Sequence, residues 1–385
     1  MAALPTGKAK RVDLSFLAPV YEAPGPFATA YFDATRADET AAHEIELRWR
    51  HLRGELSREG APDPLLDEME TPALAPDGYP GRHGRVIVGA GKDVVLDATL
   101  PHPPQRESAA WAPVPHLLPY ARQHAWTVPH VLAVVDRVGA DVTAFGPRSE
   151  ARDQREVEGG TLHIHKVKAG GWAHKRYQRR SENLWDKNAR EVADAVDALV
   201  AEVDAKVLAV AGDVRAREAL ERQLSASSRE ALVFLEHGGR APGAAADALQ
   251  EELLTQVRLR ALDEMADILD RFEEQRGRHE AAAEGLRAVV DALRRAQVDT
   301  VLLRDDPSAT TQLWVGPEPL HLGLDKADLE ALGVARPMQD RADAAIVRAL
   351  AATDAGLVLA PTGGPGLRDG VGALLRYTDE ATASA

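Results

Sequence analysis

The chain of 385 residues contains no cysteine. That absence removes disulfides, thiolate catalysis and cysteine-ligated zinc sites together, and it fits a reducing compartment. No apolar run approaches the roughly 18–20 residues that span a bilayer, and the first thirty residues lack a basic segment followed by an apolar one. The expected location is the cytoplasm, with no membrane partner. GxSxG, HExxH and GxGxxG are all missing, so the sequence offers no ordinary enzyme constellation and no cofactor is expected. Basic residues are in deficit overall, with 46 Lys and Arg against 60 Asp and Glu for a net charge of −14; no DNA partner is expected.

Against that background one window has the opposite sign. From Thr161 to Arg190 there are eight Lys/Arg and two Asp/Glu, a local charge of +6 on a remainder of −20. A dense basic patch on an acidic body is best explained by a polyanionic partner at that spot. The window contains Gly170-Gly171, where the backbone can approach another surface closely, and then Trp172, whose ring can stack on a base. A solvent-exposed turn with incidental basic residues is the simpler alternative.

Length and periodicity divide the chain into three α/β regions. Residues 1–125 open with a strand at Phe27 to Phe32 and a helix from Ala41 to about Glu59, in which Ile45, Trp49 and Leu52 share a face. Two apolar runs, Arg85 to Val88 and Val94 to Leu96, flank Gly89-Ala90-Gly91-Lys92-Asp93. This lacks the GxxxxGK[ST] spacing and reads as a hairpin turn, not a phosphate loop. Pro101 to Pro119 reads as a linker or long surface loop. Residues 126–245 form a central α/β domain: a hairpin from Val128 to Phe145, a strand at Thr161 to Lys168, a long helix lined by Trp185, Ala189, Val192, Val196, Leu199 and Val203, then strand, helix, strand. Residues 246–385 begin with a long helix lined by Leu249, Leu253, Val257, Ala261, Met265, Ile268 and Phe272, continue as α/β, and close with Gly370-Val371-Gly372-Ala373-Leu374-Leu375-Arg376-Tyr377. No repeat of 20–50 residues is visible.

The basic Gly-Gly loop entering a long helix, followed by an α/β domain with that closing strand, resembles the archaeal and eukaryotic class 1 release factors and their ribosome-rescue relative Pelota. The resemblance covers roughly residues 126–380. It implies a release-factor-like central domain whose loop 168–180 reaches the peptidyl transferase centre, and a C-terminal α/β/α domain of the release factor domain 3 type, a place for elongation-factor or stalk-base contact. In that superfamily the loop reads Gly-Gly-Gln, and the glutamine helps place the attacking water. Here Gly170 and Gly171 match, but the third position is Trp172. An indole has one N–H donor and no acceptor, so it cannot replace the amide. Gln178 lies seven residues beyond Gly171 and is a remote substitute. The first region has no Asn-Ile-Lys-Ser stretch, so stop-codon decoding is unsupported.

The sequence is similar to a bacterial branch of the superfamily that keeps the architecture and often loses the glutamine, the Balon-type hibernation factors and their actinobacterial relatives. That resemblance implies occupation of the A site of idle 70S ribosomes, in contact with 23S and 16S rRNA and in some members alongside elongation factor Tu, and no catalytic residue. The rRNA-binding residues it implies are Lys166, Lys168, Gly170, Gly171, Trp172, His174, Lys175, Arg176, Tyr177, Arg179 and Arg180. A peptidyl-tRNA hydrolase acting through the Gly-Gly loop and a general RNA-binding adaptor remain as alternatives. His163 and His165 share one face of a strand, but no third ligand accompanies them, so no metal is expected. In the first region Arg48, Arg50, Arg53 and Arg58 are candidates for small-subunit contact by charge alone, and a solvated helix face is the better explanation of them.

Overall fold

The computed structural model describes residues 12–37, 40–79, 81–136, 139–147, 151–158, 161–165, 185–239, 246–306, 308–361 and 366–378. Contacts gather the chain into two compact units, one built on Trp126–Ala266 and one on Arg11–Ala125 together with Asp267–Ala385. The three regions read from the sequence are distributed over these two, and the division falls inside the helix Ala246–Arg278. The fold is mixed α/β with several sheets, as expected.

The unit built on Trp126–Ala266 carries a six-stranded sheet in the order Leu232–Phe234, Val207–Gly212, His130–Val135, Gly139–Phe145, Ala151–Glu158, Thr161–His165. The first three strands are parallel and the rest antiparallel. Strands covered on both faces read as unbroken apolar runs, and His130–Val135 is buried along its whole length. On one face Val192, Val196 and Leu199 of the helix Trp185–Val203 pack with Val131, Val142 and Leu208. On the other, Leu249, Leu253 and Val257 of Ala246–Arg278 pack with Leu132, Val134 and Ala209. Of the stripes predicted from the sequence, Ala189, Val192, Val196, Leu199 and Val203 and, in the longer helix, Leu249, Leu253, Val257, Ala261, Ile268 and Phe272 are buried, Met265 is half-buried, and the side chain of Trp185 lies outside the described residues.

In the second unit a four-stranded antiparallel sheet runs Asp93–Leu100, Gly84–Ala90, Phe27–Asp33, Ser108–Ala112. Ile45, Trp49, Leu52 and Leu56 of the helix Ala41–Glu59 and Leu65, Leu66 and Met69 of Asp63–Leu74 cover one face around Phe32 and Ile87. The opposite face, through Phe27, Tyr31, Val86 and Val88, belongs to one continuous core with Val301, Leu350, Leu357 and Val371. Those residues come from a five-stranded sheet ordered Val12–Asp13, Gly356–Ala360, Val298–Arg304, Val371–Leu375, Ala282–Glu284, and from the helix Ala342–Thr353 beside it. Its first strand is the start of the described chain, pairing Val12 with Leu357, and Leu14, Leu17 and Val20 are buried in the same core. A small sheet of Leu322–Gly323, Gln312–Val315 and Met338–Arg341 completes the unit.

The Gly89–Asp93 stretch is a hairpin turn, with Ala90 paired to Asp93 and Gly91 at φ +61°. Pro101–Pro119 is not a loop throughout. Its Ser108–Ala112 forms an edge strand, with Trp111 opposite Ala28. The flanking prolines concealed that strand, because each removes a donor on either side of a segment whose pairing comes from far along the chain.

Candidate nucleic-acid interface

Among the described residues the strand Thr161–His165 is the outer edge of the six-stranded sheet and pairs with Ala151–Glu158, with Glu158 opposite Thr161 and Gln154 opposite His165. The chain leaves this edge after His165 and re-enters described structure at Trp185, the first residue of the long helix. A 19-residue connection, 166–184, therefore bridges an edge strand and a crossover helix. The helix has to cross the sheet because the next strand, Val207–Gly212, pairs with His130–Val135, with three strands between it and Thr161–His165.

Lys166, Lys168, Gly170, Gly171, Trp172, His174, Lys175, Arg176, Tyr177, Arg179 and Arg180 all lie outside the described residues. What is described is their mount. Ala189, Val192, Val196 and Leu199 seat the helix that follows on the sheet. Arg155, on the strand beside the edge, bonds Asp153 at 3.2 Å and reaches Glu202 near the end of the same helix at 3.1 Å. Asp197, on that helix, accepts the backbone N–H of Ser225 at 3.1 Å and its hydroxyl at 3.0 Å, and Ser225 in turn caps the helix Ala226–Glu230. The basic stretch thus enters a helix fixed by packing on one side and by charged hydrogen bonds at its far end. His163 and His165 face Glu156 and Gln154 in register, and no cluster of metal-ligating residues occurs among the described residues.

The arginines of the first region are engaged with their own domain. Arg53 bonds Asp67 at 2.6 Å and Glu70 at 3.2 Å, and Glu70 also accepts the Trp49 indole N–H at 3.2 Å. Arg48 bonds Glu44 at 3.1 Å and Glu107 at 3.2 Å, Arg50 bonds Glu46 at 2.7 Å, and Arg58 donates to the Gly54 carbonyl at 3.1 Å. Three of the four charges, those of Arg48, Arg50 and Arg53, are paired with carboxylates of their own region. Asp33, at the end of the central strand, is pushed up by burial but held below the usual carboxylate range by hydrogen bonds from Thr35 and by the charges of Arg48 and Arg82.

Each residue of the closing segment has a structural task that the sequence alone did not disclose. Val371, Ala373, Leu374 and Leu375 are buried in the five-stranded sheet. Arg376 extends from its end to the Thr353 carbonyl at 2.9 Å and the Asp354 carbonyl at 2.5 Å, satisfying acceptors at the C-terminus of the helix Ala342–Thr353. The hydroxyl of Tyr377 donates to the Arg295 carbonyl, just past the end of the helix Leu286–Arg294. The end of the motif thus fastens two helix ends.

Residues 129–278, which include the whole basic segment 166–180, match the family described as bacterial archaeo-eukaryotic release factor family 2. Over that segment the chain resembles the release-factor-like proteins of this bacterial family. It is similar along its length to two uncharacterised proteins of Mycobacterium tuberculosis, Rv2629 of strain H37Rv and MT2704 of strain CDC 1551. Each is 29% identical over 362 residues, covering 92% of this chain and 94% of the relative. Among solved structures, Archaeoglobus fulgidus Pelota matches at 14% identity, with 95% of this chain and 93% of that one covered and a TM-score of 0.37. Saccharomyces cerevisiae Dom34 matches at 11% identity, with 96% and 94% covered and a TM-score of 0.36. Among the described residues no helix is long and apolar enough to cross a membrane.

Proposed function

We propose that the protein binds the 70S ribosome, occupies its A site when translation is idle, and blocks that site without hydrolysing peptidyl-tRNA. The observation that carries this reading is Trp172 at the position after Gly170-Gly171, inside a segment matched to a release factor family. The basic residues from Lys166 to Arg180 would neutralise rRNA phosphates, the two glycines would permit close approach, and Trp172 or Tyr177 would stack on an exposed base. The indole of Trp172 has one N–H donor and no acceptor, so unlike an amide it cannot both accept from and donate to a water. The engaged arginines of Ala41–Glu59 support assigning the phosphate contacts to the loop.

The test is to add the purified protein to 70S ribosomes carrying a labelled aminoacyl ester on P-site tRNA, sediment them, and assay bound protein and released label. Binding without release supports occlusion. Release makes the protein a hydrolase acting through the Gly-Gly loop, and equal affinity for any structured RNA at matched salt makes it a general adaptor. Repeating the sedimentation with elongation factor Tu and a guanine nucleotide asks whether the two bind together.

A further inference from the structure

The apolar packing of the helix Trp185–Val203 stops short of the edge of its sheet. Val131, Val142, Ala144 and Leu208 belong to that core, from the strands His130–Val135, Gly139–Phe145 and Val207–Gly212. On the next strand outward, Arg155 stands opposite Val142 and Asp153 opposite Ala144. Opposed residues of a ladder share a face, so the helix meets charged side chains where the apolar layer would otherwise continue. Arg155, its side chain only 16% exposed, spans the gap. Its Nε donates to Asp153 at 3.2 Å and its Nη2 to Glu202 of the helix at 3.1 Å.

The position of this bridge matters because Arg155 is also opposite Ile164, one residue before the last of the strand from which the basic segment departs. Among the described residues the side-chain link from the hairpin Ala151–His165 to the helix is the one from Arg155. With Nε and Nη2 both committed to carboxylates, this arginine serves the mount and not a phosphate. Ordering a loose segment on binding costs conformational entropy, and pinning its root beforehand lowers that cost.

We propose that Arg155 is a positioning residue for polyanion binding: by bridging Asp153 and Glu202 it pins the departure point of the basic segment to the helix that receives it, so that Glu202, an acid, favours the binding of RNA. The inference rests on the ribosome-binding reading above for the identity of the polyanion; the brace itself stands on the described geometry.

The test turns on a sign. Removing an acid from a protein that binds a polyanion ordinarily raises affinity, because it lessens repulsion. Glu202→Ala is expected to do the reverse and weaken binding to 70S ribosomes by about two- to fivefold, the range of one partly exposed ion pair, with the salt dependence as in the parent. Asp194→Ala, which removes an exposed acid of the same helix, should not weaken binding. Glu202→Gln loses the same charge but keeps an acceptor for Arg155, and should retain more affinity than Glu202→Ala. In the free protein, amide exchange of Thr161–His165, read by mass spectrometry, should quicken in Glu202→Ala by a similar factor. Affinity of Glu202→Ala at or above that of the parent overturns the proposal, as does unchanged exchange of Thr161–His165. Should the parent itself not bind ribosomes, the occlusion reading falls, and exchange alone decides the brace.

Discussion

Gly372 and Phe272 touch in a way that leaves no room for a side chain: a Cβ built on Gly372 would lie 2.6 Å from Cζ of Phe272. Phe272 is fully buried and belongs to the second half of the long helix Ala246–Arg278. The glycine of the closing strand is therefore the surface on which that helix seats its ring. Gly372→Ala forces the ring or the strand to shift, and overpacking of this kind destabilises by about 1–3 kcal/mol. Urea unfolding reads the effect, and a variant as stable as the parent would show that the contact relaxes freely.

Glu252 ties the end of Leu232–Phe234 to the first turns of the long helix. Its carboxylate accepts the N–H groups of Glu236 at 2.8 Å and His237 at 3.0 Å, and meets the His237 ring at 3.2 Å. Burial acts to raise the Glu252 pKa, but these bonds outweigh it and hold the carboxyl below its usual range. A depressed pKa in the folded state means that the stabilisation is present above the unfolded-state value and is lost as pH falls through the folded-state value. Glu252→Gln is accordingly expected to be less stable than the parent by about 1 kcal/mol near neutral pH. The difference should shrink as pH drops through the carboxylate range, in parallel denaturation series from pH 7 to pH 3.

How much of this was legible in the sequence depended on periodicity. The helices Ala41–Glu59, Trp185–Val203 and Ala246–Arg278 follow stripes long enough to read, and Ile45, Trp49, Val192, Leu253 and Phe272 are buried as those stripes required. The strand Ala151–Glu158 left no such trace, because its sequence ARDQREVE has no apolar alternation and its pairing is set by neighbours on both sides. The three short strands around Gln312–Val315 are two to four residues each, below the length at which period two is detectable. The shared core of the two sheets in the second unit was hidden for a different reason. Tyr31 and Leu357 lie in one apolar cluster, and nothing local to either residue names the other. At the candidate interface the charge run and the Gly-Gly pair were plain, whereas the engagement of Arg48 and Arg53 depended on carboxylates brought in by folding.

The division of labour between the two groups of arginines can be measured. Arg50 is exposed and already bonded to Glu46, so Arg50→Ala should change stability by less than about 0.5 kcal/mol and leave ribosome affinity unaltered. Arg176→Ala and Arg179→Ala should each weaken binding and flatten the dependence of log K on log salt concentration by about 0.7–0.9 per residue, the amount expected for one lost phosphate contact. Titrations of labelled protein against 70S ribosomes at several salt concentrations separate the two cases. Equal slopes for Arg50→Ala and Arg176→Ala would remove the loop as the electrostatic contact.

Trp172 separates occlusion from catalysis most directly. If its ring stacks on an rRNA base, Trp172→Ala removes about 1–3 kcal/mol, which is roughly a 5- to 150-fold loss of affinity. Because stacking is insensitive to ionic strength compared with phosphate contact, the salt dependence should stay as in the parent. Trp172→Phe should recover part of the affinity, since it keeps an aromatic face while losing the second ring and the indole N–H. Trp172→Gln restores the amide between Gly171 and the basic flank, and it tests what the substitution of that residue means for chemistry. Release of labelled ester by Trp172→Gln and not by the parent would locate the absence of hydrolysis in this one side chain; release by the parent itself would refute occlusion.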